Sequence, residues 1–171
     1  METKKLYKQI IFYFSIIYAV LAIIFMLFQP QNLKPNTTTS IMGFVSLILF
    51  ISIPIVAIKM FKQQGGEITL GKAIKLGVLI GLLGGLIVGI YAAIYFTYIK
   101  PEAVDQTMEL SRQILEDSGK LNSDMIEKQM EITRKFFVPL QIVGQIFTGV
   151  LYGLIGGLIG GLFYKPKNTD Y

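Results

Sequence analysis

The sequence predicts an all-α membrane protein with four transmembrane helices and an extramembrane helical hairpin between the third and fourth. Three observations predict it. Hydrophobic residues make up 53% of the 171-residue chain and charged residues only 16%, where a soluble domain carries about 25% charge. Four long stretches carry no charge at all. The remaining charges collect in the segments around them, and the mean hydropathy of +0.58 excludes a disordered chain.

The uncharged runs are Ile10–Phe28, Ile41–Ile58, Leu76–Ile99 and Phe136–Tyr164, of 19, 18, 24 and 29 residues. A helix needs about 20 apolar residues to cross a hydrocarbon core of about 30 Å. Spans are therefore expected at about 10–28, 41–58, 76–99 and 138–163, within one membrane domain covering 1–171. In lipid the backbone must satisfy its own hydrogen bonds, and the alternation of a membrane β-barrel is absent, so the spans are helices. Lys4, Lys5 and Lys8 give the first run the basic front of a signal peptide. Its apolar part is longer than the usual 7–15 residues or so, and no small-x-small cleavage site follows Phe28-Gln29-Pro30, so a retained span is expected. Pro54 would bend the second span and free the Phe50 carbonyl.

Between the spans, Gln29–Ser40 is short and polar with Pro30 and Pro35, a tight outer connection. Gly65-Gly66 marks a turn, and Thr69 is placed to cap a helix running straight into the third span. Residues 100–135 form the one sizeable extramembrane segment. Pro101 suits a helix start, Ser118-Gly119 a helix end, and Asn122 or Ser123 a second cap. Val104, Met108 and Leu115 give the first helix its apolar face, and Met125, Ile126, Met130 and Ile132 the second. Glu116–Lys120, Asp124–Lys128 and Glu131–Lys135 are acid-to-base pairs four apart, each worth about 0.2–0.5 kcal/mol on an exposed helix. The two helices are expected to project from the outer surface, continuing the third and fourth spans above the membrane.

Charge sets the orientation. The N-terminus, the 59–75 loop and the tail hold nine lysines (Lys4, Lys5, Lys8, Lys59, Lys62, Lys72, Lys75, Lys165, Lys167) against Glu2, Glu67 and Asp170. The other side holds seven Lys or Arg beside eight carboxylates. The bias places both termini in the cytoplasm. Lys59, Lys62, Lys72 and Lys75 then sit where anionic headgroups attract them. The lipid bilayer is the expected partner, with a second copy or another membrane protein as the protein partner. No basic stripe lies elsewhere to bind nucleic acid.

The most specific feature is a pair of glycine ladders. Gly77, Gly81, Gly85 and Gly89 are spaced by four in the third span, and Gly149, Gly153, Gly157 and Gly161 in the fourth. Gly84, Gly156 and Gly160 thicken them, and Gly77–Ile90 aligned with Gly149–Leu162 has ten identities in fourteen. Each step of four advances about 40° around a helix, so a ladder is a groove that lets another backbone approach closely. The ladders are expected to pack the third span on the fourth. One of them facing a second subunit is the sharper alternative.

Chemical machinery is missing. The chain has no Cys and no His, and no nucleophile–base pair or phosphate loop. The eight carboxylates of the outer segment interleave with bases and lack a calcium-loop pattern. An enzyme is not expected, nor any cofactor or metal. The spans hold no ionisable Asp, Glu, Lys or Arg, which argues against ion-coupled transport. Their polar features are Gln141 and Gln145, four apart in the fourth span, and Tyr91, Tyr95 and Tyr98, spaced for one face at the outer end of the third. Together these would form a polar and aromatic rim near the interface.

Gly65-Gly66-x-Ile68-Thr69-Leu70-Gly71-x-Ala73, then Tyr95-Phe96-x-Tyr98-Ile99-x-Pro101-Glu102 and an acidic helical insertion before the last span, resemble a bacterial membrane family known as domain of unknown function 4199. The resemblance covers nearly the whole chain and is strongest over 60–139. It implies a four-helix inner-membrane protein with no assigned activity and brings no catalytic or binding residues. Leu70 stands where the family is expected to have an aromatic residue. The function expected from all of this is a structural or accessory membrane subunit assembling through glycine-ladder helix packing. A small oligomeric channel or carrier without ion-coupling residues is the alternative, and an envelope-stress or lipid sensor using the outer hairpin a weaker third.

Overall fold

The computed structural model describes residues 2–28 and 37–164. Most of the expected outer connection, 29–36, and the tail lysines Lys165 and Lys167 lie outside the described residues. The chain forms α1 (Glu2–Phe28), α2 (Thr37–Gln63), α3 (Leu70–Ile94), a π-helical turn (Tyr95–Ile99), α4 (Glu102–Ser118) and α5 (Ser123–Tyr164). No strand occurs among the described residues. The helices α1, α2, α3 (with the π turn) and α5 are long and apolar enough to cross a membrane, which makes this a multi-pass membrane protein by length and composition.

Local chemistry fixes the ends. Thr69 is extended at the N-cap of α3, and its hydroxyl accepts from the Lys72 amide at 3.3 Å. The preceding turn is held by Gly65, whose φ of 84° is costly for other residues. Gly66 lies against the Phe61 ring, and Ile68 is buried below it. Gly119 closes α4 in the left-handed conformation at φ 63°. The Asn122 side chain accepts from the Met125 amide at 2.9 Å and so caps α5.

The helix expected before the fourth span is not a separate element. It and the span form one 42-residue helix that runs through Pro139. At about 1.5 Å per residue this is roughly 63 Å, about twice the hydrocarbon thickness. Its first part packs on α4 through Met108, Ile126, Met130 and Phe137, and the Arg134 guanidinium pairs with the Asp105 carboxylate. The counterpart does not hold for α3. The π turn and Lys100, with φ −143° and ψ 62°, break the path before α4 begins.

Contact between α3 and α5 is the most extensive in the molecule; α1 rests on α3, α2 on α5, and α1 touches α2. Pro54 lies inside α2 and is among the most completely buried residues, together with Ile58, Leu76, Ile80 and Val88. In the α1–α3 interface the buried Ser15 hydroxyl donates to the Ile80 carbonyl at 3.3 Å.

Candidate functional site

The α3–α5 contact is made by backbone. A β-carbon added to Gly77 would fall on the Gly153 carbonyl oxygen, and one added to Gly81 on the Gly149 carbonyl oxygen. The relation is reciprocal: Gly149 meets the Gly81 carbonyl and Gly153 the Gly77 carbonyl. At Gly85 the added atom would stand 2.6 Å from the Gln145 carbonyl oxygen, and at Gly89 3.2 Å from the Ile142 Cα. Each step of four up α3 meets a step of three or four down α5, so the helices are antiparallel, with glycine opposite glycine at Gly77–Gly153 and Gly81–Gly149. Gly157 and Gly161 extend the contact to the first turns of α3, against Ile74 at 2.9 Å and Leu70 at 2.8 Å. Leu70, where the resemblance implies an aromatic ring, fills the space beside Gly161.

The remaining glycines of the two helices have other partners. An added β-carbon at Gly84 would meet the Tyr18 ring of α1 at 2.5 Å. One at Gly156 would meet Ile51 and Pro54 of α2, and one at Gly160 would meet Ile58. The glycines read as thickening the ladders therefore seat α1 and α2 on the central pair. Gly144, on α5 just before its ladder, has nothing within 4 Å.

At the far end of α3, Tyr91 and Tyr95 stack with ring centroids 6.1 Å apart. Tyr95 meets Phe96 edge-on at 5.3 Å, and Phe96 meets Phe137 of α5 at 5.2 Å. Tyr98 is not brought into this chain of rings and is 80% exposed. The reason is the π turn: the Lys100 amide bonds back five residues to the Tyr95 carbonyl at 2.8 Å, and the extra residue rotates Tyr98 off the face that seven-residue spacing implies. Gln141 and Gln145 are half-buried on α5, and Gln145 touches α3 through its main-chain carbonyl at Gly85.

At the opposite end, where α1 and α3 begin, lies an open cleft of about 700 Å³. Lys4 and Lys8 of α1 line it together with Lys72 and Lys75 of α3, with Glu67 the one carboxylate among its described lining residues. Tyr7 and Phe61 meet edge-on at 5.5 Å in its wall. Sequence reasoning missed Tyr7 and Glu67. The available signal was the spacing of Lys4, Tyr7 and Lys8, which share a helix face.

The family model described as protein of unknown function (DUF4199) matches residues 11–166. The chain belongs to this family. The match takes in α1 from Ile11 onward, the other three apolar helices and both glycine ladders. No curated protein and no solved structure matches the chain. Membership in DUF4199 adds no activity, so the functional argument rests on the geometry above.

Proposed function

We propose that this DUF4199 member is a structural or accessory subunit of a bacterial inner membrane, without catalytic activity and with both termini in the cytoplasm. In this reading the glycine ladders build a stiff α3–α5 core. The helices that carry them, together with the outer hairpin of α4 and the first half of α5, then present a fixed surface to a second copy or another membrane protein. The reciprocal approach of Gly81 and Gly149 carries the reading. It commits the chain's most distinctive pattern to holding shape, in spans that hold no ionisable Asp, Glu, Lys or Arg.

Native mass spectrometry of the complex, gently extracted from its own membrane, tests this. A discrete homo-oligomer or a mixed complex is expected, and a bare monomer would overturn the accessory role. Solute flux that Gly85→Leu blocks without reducing the amount of complex would replace this reading with a small oligomeric channel or carrier. The orientation has its own test. The chain lacks Cys, so Ser118→Cys at the exposed end of α4 is expected to react with an impermeant maleimide on intact cells. Labelling only after lysis would invert the topology.

A further inference from the structure

The cleft at the beginning of α1 and α3 has a composition that the packing role does not explain. Its described lining residues gather Lys4, Lys8, Lys72 and Lys75 from two helices and a single carboxylate, Glu67. Among the described residues the only ion pair there is a loose one, Lys72 to Glu67 at 4.0 Å, with the Glu67 side chain 91% exposed. Like charges brought together without partners cost free energy unless an anion joins them. Lys4 and Lys72 also lie in the first turns of their helices, where the positive end of the helix dipole favours an anion.

A second observation is independent of charge. Tyr7 lines the cleft, and its hydroxyl is buried with no hydrogen-bond partner among the described residues. A buried hydroxyl left unmatched is costly, and native structures rarely keep one without use. Depth is the third. Lys8 and Lys75 stand directly before the uncharged runs that begin at Ile10 and Leu76, which puts their ammonium groups at the level of lipid headgroups. One helical turn beyond Lys8, Phe12 is 61% exposed, at the depth where an acyl chain would begin.

We propose that this cleft binds the phosphate headgroup of an anionic phospholipid from the leaflet at the basic end of the protein. The four lysines neutralise the phosphate, the Tyr7 hydroxyl, shielded in the lipid-free protein, turns to donate to a phosphoryl oxygen, and the acyl chain begins one turn deeper, beside Phe12. The proposal rests on the four helices crossing a bilayer and is independent of the accessory role. A monomer in the mass spectrometer leaves it standing, and a failure to bind lipid leaves that role standing.

The test is stabilisation of the full chain in a neutral detergent by phosphatidylglycerol, read as the shift in unfolding midpoint over a titration. Saturable stabilisation is expected, with none from phosphatidylcholine. Lys8→Gln/Lys75→Gln is expected to move the titration midpoint by about tenfold or more. Lys59→Gln/Lys62→Gln removes the same charge from the same end of the protein but outside the cleft, and is expected to change it by less than about threefold. Tyr7→Phe is expected to weaken the lipid response while leaving the lipid-free midpoint unchanged or higher. Equal effects of the two lysine pairs would overturn the cleft in favour of diffuse charge. Equal stabilisation by phosphatidylcholine would overturn headgroup selectivity. Saturation by inorganic phosphate at similar concentrations would overturn the lipid as the source of the phosphate. An unchanged lipid response in Tyr7→Phe would overturn the part given to the hydroxyl.

Discussion

The two halves of α5 make contacts of opposite kinds. At Gly149, Gly153 and Gly157 the helix meets α3 with main chain on main chain, carbonyl oxygens filling the places that side chains would take. Over Ile126–Phe137 it meets α4 and the π turn with Ile, Met and Phe side chains, and a single exposed ion pair at the edge. The difference follows the solvent each half is suited to. Among lipid tails a buried Leu gains nothing over a lipid-facing one, so helices associate by close approach and dispersion. Beside water, burying apolar surface gains about 25 cal/mol per Å², so bulky side chains serve better. The glycine half should therefore tolerate no added volume, and the side-chain half no removed volume.

The largest expected effect comes from adding volume to the first contact. Gly81→Leu places a branched side chain where the Gly149 carbonyl lies. Overpacking a tight core costs about 1–3 kcal/mol, more where the obstacle is backbone, so loss of folded protein in the membrane is expected. Normal yield and thermal midpoint would mean that the ladders do not hold the core. The next effect removes volume from the second contact. Phe137→Ala is expected to cost about 3–5 kcal/mol, confined to the α4 side. Amide exchange would show α4 opening while α3 and the glycine half of α5 keep their protection. Exchange spreading evenly through α3 would erase the distinction between the halves. The smallest effect is at the edge of the second contact. Asp105→Asn removes the pair with Arg134, whose side chains are more than half exposed. It should cost less than about 1 kcal/mol, and the cost should vanish in high salt.

The spans were legible because hydropathy needs no knowledge of partners: the uncharged runs sit inside the four apolar helices. The caps at Thr69 and Asn122 were legible because capping is local. The continuity of α5 was less so. The sequence changes from charged to apolar near Phe136, while the backbone runs on without a break, even at Pro139. The glycine rows were visible by their spacing, but which row meets which helix depends on register between segments more than 60 residues apart, such as Gly81 with Gly149. That is why Gly84, Gly156 and Gly160 looked like extra rungs when they seat Tyr18 and α2. The π turn shifts phase by one residue without a sequence signal, and this moved Tyr98 away from Tyr91 and Tyr95. The cleft was hidden for a similar reason, since its lysines converge only when α1 lies beside α3.

The most direct test of the backbone contact compares two one-carbon changes, Gly81→Ala and Gly144→Ala, by reversible unfolding in the same detergent. Both favour helix over glycine by about 1 kcal/mol, but Gly81 faces the Gly149 carbonyl and Gly144 has nothing within 4 Å. The account predicts that Gly81→Ala lowers stability by about 1–3 kcal/mol while Gly144→Ala leaves it unchanged or raises it. Equal effects of the two substitutions would contradict it.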